Sequence, residues 1–588
     1  MSLIDKYLLR LDPTFKFATV LIVMGACAPV GVARADMPPM PAALAAVAPA
    51  MECSALKDVD VSRAVGAPTR VDSATVVTDG KPAPYCRVLG EIAPHVKIEV
   101  RLPTSGWTQR YVQTGCGGLC GNLNVRLSNA SSCVPAQKGE LALASTDMGH
   151  TGGFEGKWAE TDYSARIDYA YRGEHVTALA AKAIIEKYYG QKAKYSYFAG
   201  CSDGGREALM EAQRYPQDFN GITAGAAAMN FTTQNTFYHG WNARMNTDSS
   251  GHAVLTGEKL PILHAAVVQQ CDAADGLKDG LISDPLSCHP DLSVVQCRAG
   301  QDPATCLTAE QVKVAKDIYQ GAHDSDGNQL VISGPFPGSE LNWAGVYVPP
   351  VGQGLDRTMS GMAAQGTIKY VASDPNPPES YTLADFKFDR QTFEAVTRFH
   401  GLYDSTDPDL SAFAAAGGKL ILWHGLADPH ISPLNTLAYY GAMQRLMGTA
   451  KVGQFTRVFL LPGVGHCGGG EGPSDIDLMT AIMGWVEQRH APEVLIASHS
   501  SGGQRPGAAP GPGAAAAKVD RTRPIYAYPK VAQYVGKGSI DEAANFVAAS
   551  PAKPWPTTFN WLGASFYSAH YELQCTATGA HFNCKKSP

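Results

Sequence analysis

The sequence predicts an α/β fold, a mostly parallel sheet with helices on both faces, interrupted by one large insertion. Three observations predict it. Apolar runs of strand length alternate with longer segments of helical spacing between residues 96 and 224. A strand-like run, Tyr195–Ala199, enters the turn Gly200-Cys201-Ser202-Asp203-Gly204, and a helical run, Glu207–Tyr215, leaves it. The alternation then stops near Ala228 and resumes at Lys419-Leu420-Ile421-Leu422-Trp423.

The chain has 588 residues, 45% hydrophobic and 17% charged, with a net charge of -6. That composition describes a globular protein, and without a Lys/Arg-rich run it offers no electrostatic case for nucleic acid. At the N-terminus Lys6, Arg10 and Lys16 precede the apolar run Phe17–Val32 and then Ala33-Arg34-Ala35. This pattern is an export signal cleaved after Ala35, too short for a membrane span and followed by Pro38, Pro39 and Pro41. Met24-Gly25-Ala26-Cys27 loosely resembles a lipobox, but Met fits its first position poorly, so lipid attachment at Cys27 is the lesser alternative to a secreted or periplasmic protein. Export permits disulfides, and 13 of the 14 cysteines remain once Cys27 leaves with the signal. Zinc is the competing use. No C-x2-C pair occurs, however, and the one C-x3-C, Cys116 to Cys120, lies in a glycine run without a nearby histidine, so disulfides are expected.

The elements follow in order. Cys53 and Cys86 bracket a Val/Thr-rich region and are expected to pair. Val96–Leu102 alternates as a strand should, and Arg110–Gln113 is the next strand, leading into Gly115-Cys116-Gly117-Gly118-Leu119-Cys120-Gly121. Leu141–Ser145 reads as another buried strand, and Val176, Leu179, Ala180, Ala183 and Ile184 mark a helix within Tyr169–Tyr189. The G-x-S-x-G turn at Ser202 has the spacing of a nucleophile elbow, where a sharp strand-to-helix corner holds a serine hydroxyl above the sheet. The glycine loop after the early strand suits a second oxyanion donor, so the expected pair of donors is the Gly118 and Asp203 amides.

The insertion carries Trp241, Trp343, Tyr347 and four cysteines, and reads as a lid over the serine. Within it, Asp272, Asp275 and Asp279 stand at spacings of three and four among glycines, which suits a hard cation such as calcium and equally suits plain turns. Serine catalysis also needs a base and an orienting acid. Asp428 follows the strand ending at Trp423, and His466 follows the strand Arg457–Leu461, in the order serine, acid, histidine. His424 and Asp404 are the alternatives for those roles. Cys201 precedes Ser202 and Cys467 follows His466, so a disulfide between them would tie base to nucleophile.

Gly200-Cys201-Ser202-Asp203-Gly204-Gly205-Arg206, His424-Gly425-Leu426-Ala427-Asp428, Gly465-His466-Cys467 and the loop from Asp272 to Ile282 together resemble the tannase and feruloyl esterase family, over roughly residues 50–550. The resemblance implies an α/β-hydrolase fold with an inserted lid and a secreted serine carboxylesterase acting on aromatic esters: gallates, hydroxycinnamates or terephthalate half-esters, free or attached to plant polymer or tannin. It implies the triad Ser202, Asp428 and His466, and the pairs Cys201 with Cys467, Cys271 with Cys288 and Cys297 with Cys306. It also implies structural calcium on the side chains of Asp272, Asp275 and Asp279 and the carbonyls of Leu277 and Leu281, and no organic cofactor. Tyr526 and Ala548 stand where such proteins usually carry bridging cysteines. In the tail, Cys575 and Cys584 are left to pair with each other, and Cys120 with Cys133 is favoured over a bond to Cys116. A peptidase on the same scaffold and a catalytically silent binding protein are the competing functions. The expected division is a signal at 1–35, catalytic parts at 36–228 and 411–550, a lid at 229–410, a mobile loop at 498–517 and a tail at 551–588.

Overall fold

The computed structural model describes residues 40–501, 518–578 and 581–586. The expected signal and Cys27 lie outside them, as do residues 502–517 of the expected mobile loop. Residues 498–501, assigned to that loop, instead close the strand Val494–Ser501, which pairs antiparallel with Lys518–Tyr526. Small polar residues next to a glycine-rich stretch hid a strand whose partner resumes only at Lys518. Among the described residues no helix is long and apolar enough to cross a membrane.

The strands are β1 (Thr69–Val77), β2 (Tyr85–Ile92), β3 (Val96–Pro103), β4 (Arg110–Thr114), β5 (Leu141–Thr146), β6 (Tyr195–Cys201), β7 (Gly221–Gly225), β8 (Lys419–Gly425) and β9 (Thr456–Leu461). They form one sheet in the order β1-β2-β3-β5-β4-β6-β7-β8-β9. Pairing is antiparallel from β1 through β2 and β3 to β5, and parallel from β5 onward, which is the α/β-hydrolase arrangement. β1 and β2 are the hairpin that the Val/Thr-rich stretch concealed, and Cys53–Cys86 ties β2 to the helical turn Cys53–Asp58 that precedes it.

Alternation along the inner strands feeds two cores. Phe198, Leu420 and Leu422 pack on one face with Ile184 of the helix Gly173–Tyr189 and Met443 of the helix Pro433–Met447. Tyr197, Ile421 and Trp423 pack on the other with Ile482 and Trp485 of the helix Leu478–Gln488. Burying both faces is what makes these strands read as continuous apolar runs. A buried bidentate pair, Arg110 to Glu487 at 2.7 Å on both arms, ties that last helix to β4.

The chain between β7 and β8, which are direct neighbours, holds the segment expected as a lid. Trp343 and Tyr347 sit in its own core with Leu263 and Ile318, and the Trp241 indole donates to the Asp317 carbonyl at 2.8 Å. The tail folds as the hairpin Leu573–Thr578 with His581–Lys586, bridged by Cys575–Cys584, and Arg214 at the end of the elbow helix donates to the Leu573 carbonyl at 3.0 Å. Pairs also join Cys201 to Cys467, Cys271 to Cys288 and Cys297 to Cys306.

One cysteine expectation is overturned. Cys116 pairs with Cys120, and Cys133 is a buried free thiol. Cys120 packs with Leu119, Met148 and Tyr169, whereas Cys133 belongs to the core around Val112 and Tyr197, so the two are held in separate clusters.

Candidate active site

β6 ends at Cys201, and the helix Asp203–Arg214 begins one residue after Ser202. Ser202 itself has φ 65° and ψ -123°, a conformation an L-residue adopts only under constraint. The constraint is close packing. A Cβ on Gly200 would lie 2.0 Å from the Gly204 carbonyl oxygen, and one on Gly204 would lie 2.8 Å from that of Cys116. Both glycines of G-x-S-x-G are therefore required by backbone contacts, which is why the motif is legible in sequence.

His466 lies in the loop after β9, and its Nδ1 is 2.8 Å from Asp428 Oδ2. Asp428 is fully buried and also accepts from the backbone N–H groups of His430 (2.7 Å) and Ile431 (3.1 Å). Burial alone would raise its pKa. The His466 charge and hydrogen bonds from His424 and His466 outweigh that and hold the carboxyl well below the usual range, so it stays ionised. His424 Nε2 lies 3.1 Å from Asp428 Oδ2 and 3.0 Å from the Ile431 carbonyl, while its Nδ1 meets Thr436 Oγ1 at 2.8 Å. With both nitrogens engaged and no exposed surface, His424 has none to offer a serine. Asp404 is likewise committed, to Thr232 and His400.

The Cys201–Cys467 bond, with Cα atoms 5.9 Å apart across a sequence separation of 266, brings the Ser202 turn against the His466 loop. Among the described residues neither the Asp203 N–H nor the Gly118 N–H has an acceptor, so both are available to an oxyanion. The Gly118 loop is fixed to the elbow helix by two bonds: the Gly204 N–H donates to the Cys116 carbonyl (2.8 Å), and the Cys116 N–H donates to Glu207 Oε2 (3.0 Å).

Several residues at the site carry no sequence signal. Tyr238 donates to the Pro429 carbonyl (2.8 Å), Asn342 donates to that of Ala427 (3.0 Å), and Gln234 donates to that of His430, so the segment between β7 and β8 clamps the Asp428 loop. The His430 ring packs on His466 with centroids 4.5 Å apart, and burial pushes its pKa well below the ordinary value, so it packs there as a neutral imidazole.

A second clamp reaches the His466 loop. His264 Nδ1 meets Glu340 Oε2 at 2.6 Å and its Nε2 meets Glu471 Oε2 at 2.8 Å, while the Tyr319 hydroxyl donates to Glu340 Oε1. Burial pulls the His264 pKa down, but the bonds and charges of Glu340 and Glu471 win and push it up to about 9. A raised folded-state pKa contributes stability that is complete below the unfolded value and is lost as pH rises through the folded one. The expected result is a loss of roughly 1–3 kcal/mol between about pH 6.5 and 9 that His264→Gln does not show, read as Tm against pH. Parallel curves for the two proteins would refute it.

The Asp272–Leu281 loop turns through Gly276 (φ 89°) and Gly280 (φ 82°). Its carboxylates accept the loop's own amides: Asp272 from Asp279 and Gly280, Asp275 from Leu277, and Asp279 from Leu281. Arg523, from beyond β9, pairs with Asp279 Oδ2 at 2.5 Å, a partner sequence spacing could not reveal. The Asp279 carboxylate is nearly inaccessible to solvent, and its burial raises its pKa despite Arg523. The donors are all oxygen, the chemistry a hard cation takes, although among the described residues the three carboxylates do not gather into one cluster as they stand.

Residues 76–549 match the family model for tannase and feruloyl esterase. The chain belongs to the tannase and feruloyl esterase family. It is a carboxylic ester hydrolase. It is 30% identical over 537 residues to a mono(2-hydroxyethyl) terephthalate hydrolase of Piscinibacter sakaiensis, covering 79% of this chain and 85% of that protein. It is 30% identical over 493 residues to feruloyl esterase C of Talaromyces stipitatus, covering 79% and 85%. The crystal structure of feruloyl esterase B from Aspergillus oryzae superposes with a TM-score of 0.70 at 26% identity, covering 84% of this chain and 99% of that one.

Proposed function

We propose that this family member is an exported serine esterase that cleaves small aromatic esters through an acyl-enzyme, with Ser202 as nucleophile, His466 as base and Asp428 as its orienting acid. The observation that carries the reading is the His466 Nδ1 to Asp428 Oδ2 bond in a loop that Cys201–Cys467 fastens beside Ser202. The names of the relatives support an aromatic acyl group. The disulfides fit an oxidising compartment, as the Ala33-Arg34-Ala35 export pattern requires.

In this reading Asp428 accepts from Nδ1–H, which leaves Nε2 of His466 as the basic nitrogen. Ser202 Oγ attacks the ester carbonyl carbon while its proton passes to Nε2. The Gly118 and Asp203 amides receive the oxyanion, each contributing about 3–4 kcal/mol to lowering the barrier. Nε2 then protonates the leaving alkoxide. Water repeats the sequence on the acyl-enzyme and releases the acid. No organic cofactor takes part.

The test is kcat/KM on methyl gallate, methyl ferulate, mono(2-hydroxyethyl) terephthalate, an aliphatic nitrophenyl ester and a matched aromatic amide. The expected result is a preference of at least about tenfold for one aromatic ester, the discrimination a shaped pocket supplies. Uniform, feeble turnover would reject the substrate class, and preferred amide cleavage would favour a peptidase.

We further propose that Asp272, Asp275 and Asp279, with the Leu277 and Leu281 carbonyls, would hold calcium. The ion would supply a structural cross-link and no step of the hydrolysis. Chelation is expected to lower Tm by a few degrees and leave kcat unchanged at a temperature where the protein stays folded. An unchanged Tm, with no calcium in the purified protein, would remove the ion.

A further inference from the structure

We infer that Cys116 and Cys120 are the reducible half of a metal site completed by the carboxylates of Asp203 and Glu207, and that the reduced pair binds one divalent cation of the zinc class. In sequence the C-x3-C stands alone, without the further ligands zinc requires. The fold supplies them from the elbow helix, where Asp203 is the first residue and Glu207 lies one turn later on the same face.

The four ligand atoms all lie within 4.8 Å of one another. Cys116 Sγ is 2.8 Å from Glu207 Oε1 and 3.8 Å from Asp203 Oδ2, and Cys120 Sγ is 3.2 Å and 3.3 Å from the same two oxygens. Tetrahedral zinc, with bonds of about 2.3 Å to sulfur and 2.0 Å to oxygen, separates S from O by about 3.5 Å. Three of the four distances, 3.2–3.8 Å, lie near that spacing, while Cys116 Sγ to Glu207 Oε1 at 2.8 Å must lengthen, and reduction frees the sulfurs to part.

The oxygens are held from behind, as metal ligands are. Asp203 takes Arg206 Nε (2.6 Å) and Nη2 (3.0 Å) and the Tyr169 hydroxyl (3.0 Å), and Glu207 Oε2 takes the Cys116 amide. Its Oε1, by contrast, faces two sulfurs that have no proton to give while they are bonded to each other. A thiol pair or a cation removes that mismatch. Two sulfur and two oxygen donors select zinc or cadmium over calcium or magnesium. Gly117 is exposed and Cys116 half-buried, so the site can be reached from outside the loop.

The chemistry balances with a thiol reductant. Two R–SH reduce the Cys116–Cys120 bond, giving two protein thiols and R–S–S–R. The cation then binds the two thiolates and the two carboxylates, and the thiol protons, with any proton on Glu207, pass to solvent. The inference rests on none of the catalytic assignments, so it stands or falls apart from them.

The test uses the full-length protein treated with a dithiol, desalted without oxygen and titrated with Cd²⁺. Binding is read by thiolate-to-cadmium absorption and by metal analysis. The expected result is one more equivalent in the wild type than in C116S/C120S; Cys133 is present in both and cancels. Glu207→Gln, with both thiols intact, is expected to weaken binding at least about tenfold. It also serves alone if the double variant does not fold. Equal stoichiometry in wild type and C116S/C120S, or Glu207→Gln binding with wild-type affinity, would overturn the site. So would alkylation mapping that finds Cys116 still linked to Cys120 in cadmium-loaded protein.

Discussion

Replacing Ser202 by Ala is expected to lower kcat for every ester the protein cleaves by about 10⁶-fold while leaving Tm within a few degrees of the wild type. The first half follows from covalency: without Oγ no acyl-enzyme forms, and only substrate binding and the oxyanion amides are left, which retain about 10³–10⁴-fold over water. The second follows from local structure. The left-handed conformation of Ser202 is imposed by Gly200, Gly204 and the Ser202 N–H bond to the Gly225 carbonyl (3.0 Å), none of which involves the hydroxyl. Single-turnover kinetics and a thermal melt on the same preparation check both. Retained turnover would remove Ser202 as nucleophile, and a large fall in Tm would turn lost activity into a folding effect.

Asp428→Asn is expected to lower kcat about 10⁴-fold with KM changed only a few-fold. The carboxylate sits where four donors converge: His466 Nδ1, His424 Nε2 and the amides of His430 and Ile431. An amide of the same shape has one acceptor oxygen, so its NH₂ must face at least one of those donors. Turned toward His466, it accepts nothing from Nδ1 and the imidazole settles in the tautomer that presents a proton, not a lone pair, to Ser202. Because the wild-type carboxyl is held well below the usual range, its own ionisation should leave no trace in the acid limb of the pH profile. A pH-dependent loss of kcat that disappears in Asp428→Asn would contradict that assignment.

Much of the fold is legible in the sequence, and for a common reason. β4 to β9 of the sheet announce themselves because each is buried on both faces, β3 because its apolar residues alternate with charged ones, and the elbow because Gly200 and Gly204 each leave no room for a Cβ. The proposed nucleophile, acid and base follow strand ends in a fixed order, which is what let Ser202, Asp428 and His466 be put forward from position. β1 and β2 escaped because a partly exposed hairpin mixes polar and apolar residues without a buried run. The strand Val494–Ser501 escaped because its partner, Lys518–Tyr526, lies beyond a glycine-rich stretch of sequence.

The amino-acid sequence by itself determined what depends on neighbours along the chain: the strands buried on both faces and their helices, where the backbone turns sharply, and which residue types stand at the turns. Only the tertiary structure decided what depends on neighbours in space. It set Arg523 on Asp279 across a sequence distance of 244, joined His264 to Glu471, and paired Cys116 with Cys120 instead of Cys133. It also brought Asp203 and Glu207 to those two sulfurs. The physical reason is that periodicity and glycine geometry are local signals, carried by a few consecutive residues. Convergence of charged and sulfur-bearing side chains is instead set by how the sheet and its helices close around a common core.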